Sequence, residues 1–253
     1  MTTLTERYDA ILFDEAIRAF YDDDFYNTGW WDDRTASPRD AATALVQRVL
    51  APVTYEPATI LEAGCGLGGS SRVIARRWPK AKITSIGISE RQVAYCNAHA
   101  DGNRTFRRMN AARLNFPDAS FDLVVSVEAA FHFDPRASFF REARRVLKPG
   151  GMLVLSDILV ASEAWPGAGS GAVPPANFGL DRRAYGASIE AAGFTNVQVH
   201  DATAPCWDAY IEQLLAFLEP RARSGADSEK WLQLTQALAQ GERAGYLLAS
   251  ARA

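Results

Sequence analysis

Cysteine is scarce in this chain of 253 residues: it has only Cys65, Cys96 and Cys206, with no CxxC pair. An odd number of widely spaced cysteines argues against a disulfide framework and against a thiolate zinc site. A chain of this length can bury a core large enough to fold without either. The cysteine pattern therefore suits a reducing compartment, and we expect a cytoplasmic protein.

Long apolar segments and an excess of one charge are also lacking. No run reaches the roughly eighteen apolar residues that a membrane span needs, and the N-terminus has no signal-peptide pattern. The 27 basic and 30 acidic side chains give a net charge of -3, so there is no basic field for a phosphate backbone. We therefore expect neither a membrane nor a nucleic acid as partner.

Short apolar runs and longer amphipathic runs alternate between residues 58 and 160. Strand length and β-branched content are found in ATILEA, KITSIGI, RTFRRM, FDLVVSVEA and GGMLVLSDILV. Helical spacing is found between them in GGSSRVIARRW, ERQVAYCNAHA and SFFREARRVL. This alternation predicts βαβ units, hence a mostly parallel sheet with helices on both faces.

The remaining segments frame this core, and we expect a single domain over residues 1–253. Residues 1–50 are predicted to form an N-terminal helical cap, and residues 58–160 the core. Residues 161–253 are predicted to supply a substrate-side loop between Ala164 and Pro175, a helical insertion and the final strands. The later helices are predicted at Asp181–Ala192, Cys206–Pro220 and Ser228–Gln240, and the later strands at FTNVQVHDA and AGYLLASAR.

The segment after the first strand, ILEAGCGLGG, has four glycines in six positions. Open parallel sheets bind ligands outside the carboxyl ends of their strands, and glycine lets the backbone approach a ligand closely. A plain turn between a strand and a helix seldom needs so many glycines. The segment is therefore predicted to be a ligand-binding loop.

Gly64, Gly66 and Gly69 match the GxGxxG pattern of dinucleotide sites, so a nicotinamide enzyme is an alternative. Two features oppose it. Glu62 places a carboxylate at the end of the strand, where it would repel a pyrophosphate and would suit an ammonium or sulfonium cation. The acidic residue expected about twenty residues later for a ribose hydroxyl is also missing, because that segment is ITSIGIS. The loop therefore favours a cationic nucleoside.

From Ala58 to Val160 the chain resembles the class I S-adenosylmethionine-dependent methyltransferases, through EAGCGLG, FPDASFDLVVS and LKPGG. ISERQV, GWWDD, EAAFHF and AGYLLASAR resemble its small-molecule branch, which includes natural-product sugar O-methyltransferases and tocopherol methyltransferases. The resemblance implies a Rossmann-like, doubly wound α/β fold. Its seven-stranded sheet would be mostly parallel with the last strand antiparallel, and N-terminal helices and a C-terminal helical insertion would form a lid.

The resemblance implies S-adenosylmethionine as cofactor and S-adenosylhomocysteine as product. The methionine part would lie at Glu62, Gly64 and Gly66, and the adenine at Asn110 and Ala111, where the Asn110 amide can still offer an acceptor oxygen. Ser89 and Gln92 would lie at the ribose, whose usual acidic ligand is missing. The whole implied cofactor set is Tyr26, Trp31, Glu62, Gly64, Cys65, Gly66, Ser89, Gln92, Asn110, Ala111 and Glu128.

A hydroxyl is a poor nucleophile unless a base removes its proton during attack. Of the three histidines, His99 lies in a predicted helix and His200 in a late strand, whereas His132 follows the fourth strand at the ligand-bearing edge. The resemblance implies that His132 and Asp157 serve the acceptor hydroxyl, with Asp157 orienting or stabilising the imidazolium or binding the hydroxyl itself. The alternatives are an ordinary packed loop histidine and a solvated carboxylate at a strand end.

The substrate side must be built from segments outside the common core, and pockets for small molecules are mostly apolar. The acidic run Asp22–Asp24 is interpreted as a solvated charged turn, because no histidine or acidic cluster follows at ligand spacing. We therefore expect no metal. The predicted substrate-binding residues are Phe131, Phe178, Trp207 and Tyr210, although Trp207 could equally pack helix against sheet.

The leading hypothesis is a metal-independent transfer of a methyl group to a hydroxyl of a small acceptor, in natural-product biosynthesis. Transfer to carbon or nitrogen is the nearest alternative within enzymes. Two further alternatives are a cyclase that holds S-adenosylmethionine without transferring methyl, and a cofactor-binding partner subunit that is not an enzyme. We expect a monomer or a homodimer.

Overall fold

A computed structural model describes residues 3–167, 171–224, 228–241 and 244–253. Its strands form one sheet in the order β3-β2-β1-β4-β5-β7-β6. The strands are β1 Thr59–Ala63, β2 Lys82–Gly87, β3 Arg104–Arg108, β4 Phe121–Val127, β5 Leu147–Leu159, β6 Thr195–Asp201 and β7 Gly245–Arg252. β1 to β5 pair in parallel, whereas β7 lies antiparallel between β5 and β6. The predicted sheet, including its antiparallel last strand, is confirmed.

The α-helices are α1 Leu4–Leu12, α2 Glu15–Tyr21, α3 Pro38–Leu50, α4 Gly69–Arg77, α5 Glu90–Ala98, α6 Arg136–Val146, α7 Arg182–Ala191, α8 Ala209–Arg223 and α9 Glu229–Gln240. Side-chain caps mark the start of α1, α2, α3, α5 and α7. Thr3 and Glu6 form a capping box on the first helix, and Ser89 accepts a hydrogen bond from the Gln92 N–H at the start of the fifth.

Both faces of the sheet are buried, because neighbouring residues of a strand enter different apolar cores. Ile60 belongs to a core shared with α1 to α4, α8 and α9, and Leu61 belongs to a core shared with α6 and α7. Val154 and Leu155 of β5 divide in the same way. Cover on both sides explains why the central strands β1, β4 and β5 are almost continuously apolar in sequence, whereas the outer strands β3 and β6 are more polar and exposed.

The strand order reverses between β1 and β4, which is the topological switch point of the sheet. β2 and β3 extend the sheet on one side of β1, and the chain then returns to place β4 on the other side. A crevice forms outside the carboxyl ends of strands at such a point. The glycine loop leaves β1 there, and the segment from Glu128 to His132 leaves β4 there. The topology therefore brings together two segments more than sixty residues apart.

Helices of the N-terminal cap and of the C-terminal helical insertion meet over this crevice. The Phe20 ring of α2 contacts Tyr210 and Phe217 of α8 edge-on, with centroids 6.0 Å and 5.3 Å apart. The backbone N–H of Trp31 donates to the carbonyl of Pro205 at 2.9 Å. In the part of the chain that the structure describes, no helix combines the length and apolar character needed to cross a bilayer.

Element boundaries differ from the sequence expectation in two places. β5 begins at Leu147 and includes LKPGG, because Leu147 pairs with Phe121 across an irregularity in the ladder. α8 continues past Pro220 to Arg223, so this proline lies inside the last turn of the helix, where its missing N–H removes one backbone hydrogen bond. Within the predicted loop Ala164–Pro175, residues 168–170 lie outside the described residues.

Candidate active site

The glycine loop is held against the turn that follows β4. The N–H groups of Gly64 and Cys65 both donate to the carbonyl of Ile86, at 2.9 Å and 3.0 Å. Gly64 has a φ of +93°, and a Cβ there would lie 2.3 Å from Cβ of Ala129. Only glycine satisfies both the left-handed backbone and this approach. The loop and the turn that carries His132 are therefore in direct contact.

A cavity of about 280 Å³ lies outside the glycine loop and the ends of β2 and β4. Helix α1 covers it with Leu4, Thr5, Tyr8 and Leu12. Its volume is near the lower end of the range for small-molecule sites. The predicted cofactor residues that line it are Tyr26, Gly64, Cys65, Gly66, Gln92, Asn110, Ala111 and Glu128.

Three predicted cofactor residues lie outside the cavity wall. Ser89 is buried and accepts a hydrogen bond from the Gln92 N–H at 3.1 Å, and Glu62 is buried beneath the glycine loop. Trp31 donates its indole N–H to the carbonyl of Thr28 at 2.8 Å. This corrects the expected position of Trp31, because its backbone bond to Pro205 ties it to the helical insertion. The cover over the cavity is α1, and the sequence signal for it is the helical spacing of Leu4, Tyr8 and Leu12.

Glu62 is a carboxyl group without full hydrogen bonding. Its Oε2 accepts from the Ser85 hydroxyl at 2.6 Å, but among the residues described here none donates to its buried Oε1. Desolvation raises the pKa of Glu62 to about 7. A group this poorly solvated is stabilised as a carboxylate when a cation binds nearby. The position suits the cationic nucleoside that the loop predicts.

His132 ends a short 3-10 turn, Ala130–His132, and lines the cavity. Its Nδ1 lies 2.5 Å from the carbonyl oxygen of Ala172. Because a carbonyl only accepts, Nδ1 carries the proton, and Nε2 accepts from the Tyr8 hydroxyl. Desolvation lowers the pKa of His132 to about 4. The ring is therefore neutral near pH 7, with its basic nitrogen toward the cap.

Asp157 is not beside the His132 ring, where the sequence interpretation places it. It is fully buried and accepts from the Arg136 guanidinium at 2.8 Å, the Tyr185 hydroxyl at 2.8 Å and the Phe131 N–H at 2.9 Å. Its carboxylate is bonded to the backbone of the turn and not to the His132 ring. This corrects both the solvated alternative and the expected pairing with His132. Asp157 holds the turn that presents His132.

Asn177 supports the same turn and was missed in the sequence. Its amide nitrogen donates to the carbonyls of Phe131 and Phe133 at 3.0 Å and 2.8 Å, and its oxygen accepts from the Arg136 N–H at 3.1 Å. Arg136 donates in turn to the carbonyl of Asn177 at 3.2 Å. The segment around His132 is thus fixed on both sides by buried polar groups, which rigidify a site when all are satisfied.

Glu128 stands at the end of β4 with a φ of +52°. Its Oε2 accepts from the Thr28 N–H at 2.8 Å, the Thr28 hydroxyl at 3.0 Å and the Tyr246 hydroxyl at 2.8 Å. Desolvation raises the pKa of Glu128 to about 7. Glu128 thus links Thr28, in the N-terminal cap, to Tyr246 of β7 at the edge of the cavity.

A second space of about 100 Å³, here named the inner pocket, lies beyond Glu128. The predicted substrate residues Phe131, Trp207 and Tyr210 line it, but Phe178 does not and instead packs half-buried against the first core. The other aromatic side chains of the inner pocket are Tyr8, Tyr21, Tyr26, Trp165 and Trp231. The residues that line both spaces are Tyr8, Tyr26, Asn27 and Glu128.

The acidic run is ion-paired, and two of its three carboxylates are mostly buried, whereas Asp22 stays exposed. Asp23 and Asp24 both pair with Arg72 of α4, the latter at 3.3 Å, and Asp22 pairs with Arg39 at 2.6 Å. The pairs with Arg72 tie the N-terminal cap to the helix after the glycine loop, so the expected solvated turn is wrong for Asp23 and Asp24 but describes Asp22. Within the described ranges, no group of three or more His, Cys, Asp and Glu side chains is arranged to hold a metal ion.

A family model described as "Methyltransferase domain" matches residues 61–155. The chain is 31% identical over 244 residues to the 27-O-demethylrifamycin SV methyltransferase of Amycolatopsis mediterranei, and the match covers 88% of each chain. This protein is a class I S-adenosylmethionine-dependent small-molecule methyltransferase.

Two further similarities accompany that identification. The methyltransferase is 27% identical to the erythromycin 3''-O-methyltransferase of Saccharopolyspora erythraea, over 77% of this chain and 70% of the other. It is also similar to the crystal structure of the [4+2]-cyclase SpnF, with a TM-score of 0.78, 23% identity and coverage of 99% and 95%. The latter similarity describes the fold alone.

We expect the affinity of the methyltransferase for S-adenosylhomocysteine to rise with pH through about 7. Glu62 and Glu128 are protonated below that pH, and an ionised Glu62 attracts the ligand's ammonium group, whereas a protonated one does not. The measurement is the dissociation constant by calorimetry from about pH 6 to about pH 8. Glu62→Gln should make the profile shallower and leave only the part due to Glu128, and exposed Glu56→Gln should keep the full profile. A slope that Glu62→Gln leaves unchanged would contradict the assignment to Glu62.

Removal of one partner of the buried ion pair should destabilise the methyltransferase strongly. Asp157→Ala leaves the Arg136 guanidinium buried without its carboxylate, at a cost of about 3 to 5 kcal/mol in the free energy of unfolding. Asp118→Ala removes an exposed partner of Arg145 and should cost less than about 1 kcal/mol. Urea unfolding measures both variants. Equal, small losses would show that the pair does not hold the turn.

Proposed function

We propose that this methyltransferase transfers a methyl group from S-adenosylmethionine to a hydroxyl of a small natural product, with His132 as general base. The observation that carries the proposal is the state of His132. Its proton is held on Nδ1 by the Ala172 carbonyl, so the neutral ring offers Nε2 as a base at the cavity wall. The Tyr8 hydroxyl now bonded to Nε2 occupies the place that an acceptor hydroxyl would take.

The cavity residues fit the cofactor. The orphaned Oε1 of Glu62 beneath the glycine loop suits a cation, and Gly64, Cys65 and Gly66 leave the loop backbone close to the cavity. We place the methionine part there and the adenine at Asn110 and Ala111, where Asn110 Oδ1 accepts from the Ala112 N–H at 2.8 Å and keeps a second lone pair. When bound, the sulfonium supplies an electrophilic methyl group.

We assign the acceptor to the inner pocket. Its wall is largely aromatic and apolar, with Phe131, Trp207 and Tyr210 among the lining residues, and such walls bind the carbon skeleton of a small molecule. Tyr8, Tyr26 and Glu128 border both spaces, so an acceptor in the inner pocket would adjoin the cofactor there. The names of the two relatives place their methyl groups on oxygen, which supports a hydroxyl as the target.

The chain's own part in the reaction is to orient the hydroxyl and to move one proton. The hydroxyl proton becomes strongly acidic only as its oxygen forms the new bond, so a base of low pKa is sufficient to accept it. Nε2 of His132 receives the proton, while the Nδ1–H stays on the Ala172 carbonyl and keeps the ring in place. Asp157 and Asn177 act on the turn and not on the substrate.

The direct test uses the purified methyltransferase with S-adenosylmethionine and a panel of hydroxylated natural products, and follows S-adenosylhomocysteine and product mass. We expect product with one added methylene on oxygen, at an unchanged rate with a chelator. Methyl found on carbon or nitrogen would contradict the hydroxyl target. A cyclised acceptor without S-adenosylhomocysteine would contradict methyl transfer. Loss of activity with the chelator, restored by magnesium, would show a metal requirement.

Replacement of the base gives a sharper result. His132→Ala should lower kcat by about a hundredfold or more, because general-base catalysis contributes about that much. The dissociation constant of S-adenosylhomocysteine should stay within about twofold, equivalent to less than about 0.5 kcal/mol. His200→Ala, on exposed β6, is the matched control and should leave both quantities unchanged. Unchanged turnover in His132→Ala would contradict the general-base role and leave proximity of acceptor and cofactor as the mechanism.

A further inference from the structure

The cofactor's ribose needs a polar partner that the end of β2 does not supply. Gly87 offers no side chain, and a Cβ there would lie in tight contact with Sγ of Cys65, at 3.0 Å. Ile86 is buried in the second core and Ile88 is apolar. Nucleoside-binding α/β domains commonly hold ribose hydroxyls with a carboxylate in this region. Another element must provide that carboxylate.

Helix α1 brings a carboxylate to this place. Oδ1 of Asp9 accepts from the Ser89 hydroxyl at 2.7 Å and from the Gln92 amide nitrogen at 2.8 Å. Ser89 and Gln92 open α5 directly after β2, and Gln92 lines the cavity. Asp9 is half-buried and lies just outside the cavity wall, next to Tyr8 in the chain and bonded to Gln92, both of which line the cavity. Helix α1 thus supplies a carboxylate next to the end of β2, which has none.

The hydrogen-bonding capacity of this group matches a ribose diol. A carboxylate has about four acceptor positions, and the two bonds to Asp9 both use Oδ1. No other described residue bonds to this carboxylate, so Oδ2 keeps its acceptor capacity. Because the Gln92 amide nitrogen faces Asp9, its amide oxygen is a second acceptor. Two neighbouring hydroxyl donors require two such acceptors.

We propose that Asp9, on the N-terminal helix α1, binds the ribose hydroxyls of S-adenosylmethionine together with Gln92 of α5. This inference rests on the cofactor of the proposed function but not on its acceptor or its base. It also gives α1 a second part: the helix covers the cavity and contributes to cofactor recognition. Cofactor affinity and closure of the cap are then coupled through one side chain.

The test compares two ligands, S-adenosylhomocysteine and its 2′,3′-dideoxy analogue, by calorimetry without acceptor. The wild type should prefer the ribose form by between about tenfold and a hundredfold, as for hydrogen bonds to charged groups. Asp9→Asn keeps an oxygen for Ser89 and Gln92 but replaces the other oxygen by a donor. It should reduce the preference to within about threefold. Glu15→Gln, an exposed acidic residue of α2, removes the same charge and should keep the preference.

The ratio of the two affinities separates binding from folding or closure. A variant that merely loosens the cap weakens both ligands equally and leaves the preference intact, and that result would overturn the proposal. Failure of the wild type to bind S-adenosylhomocysteine would overturn both this inference and the cofactor assignment. A normal ribose preference that is lost in Asp9→Asn would support the inference even if no hydroxyl acceptor were methylated.

Discussion

The buried pair of Asp157 and Arg136 is the interaction on which the site depends. It joins the end of β5 to the start of α6, and Tyr185 of α7 bonds to the same carboxylate. Through the Phe131 N–H and the Asn177 amide, it determines the path of the turn that ends at His132. A buried charge pair needs such a complete set of hydrogen bonds to offset its desolvation. That completeness makes the turn rigid.

Elsewhere in the site, buried carboxyl groups have fewer hydrogen-bond or ion-pair partners than Asp157. Glu62 keeps an orphaned oxygen under the glycine loop, and the pKa of both Glu62 and Glu128 is near 7 because of desolvation. Glu62 is buried beneath the glycine loop, and Glu128 lines the space assigned to the cofactor. A cation binding near them would stabilise their ionised forms. Asp157, whose hydrogen bonds are complete, thus has a structural role. Glu62, which has an oxygen without a hydrogen-bond donor, is suited to bind a ligand.

Much of the fold followed from pattern. Alternating strands and helices predicted the mostly parallel sheet, since periodicity reports burial directly, and the family resemblance implied its antiparallel last strand. Most of the predicted cofactor residues line one cavity because they follow strands that end at the same edge. Trp31 and Phe178 lie outside both spaces, because an aromatic residue in irregular sequence packs wherever the surrounding helices place it. Asp157, also at a strand end, proved to be fully hydrogen-bonded inside the protein.

The sequence alone determined the family, the sheet and the glycine loop, because these depend on local spacing and on glycine's backbone freedom. Only the tertiary structure decided which polar groups meet. Tyr8 reaches His132, Arg136 reaches Asp157, and Asp9 reaches Ser89 and Gln92 across about eighty residues of sequence. Such long-range partners are chosen by how the cap docks on the sheet. No local pattern records that docking.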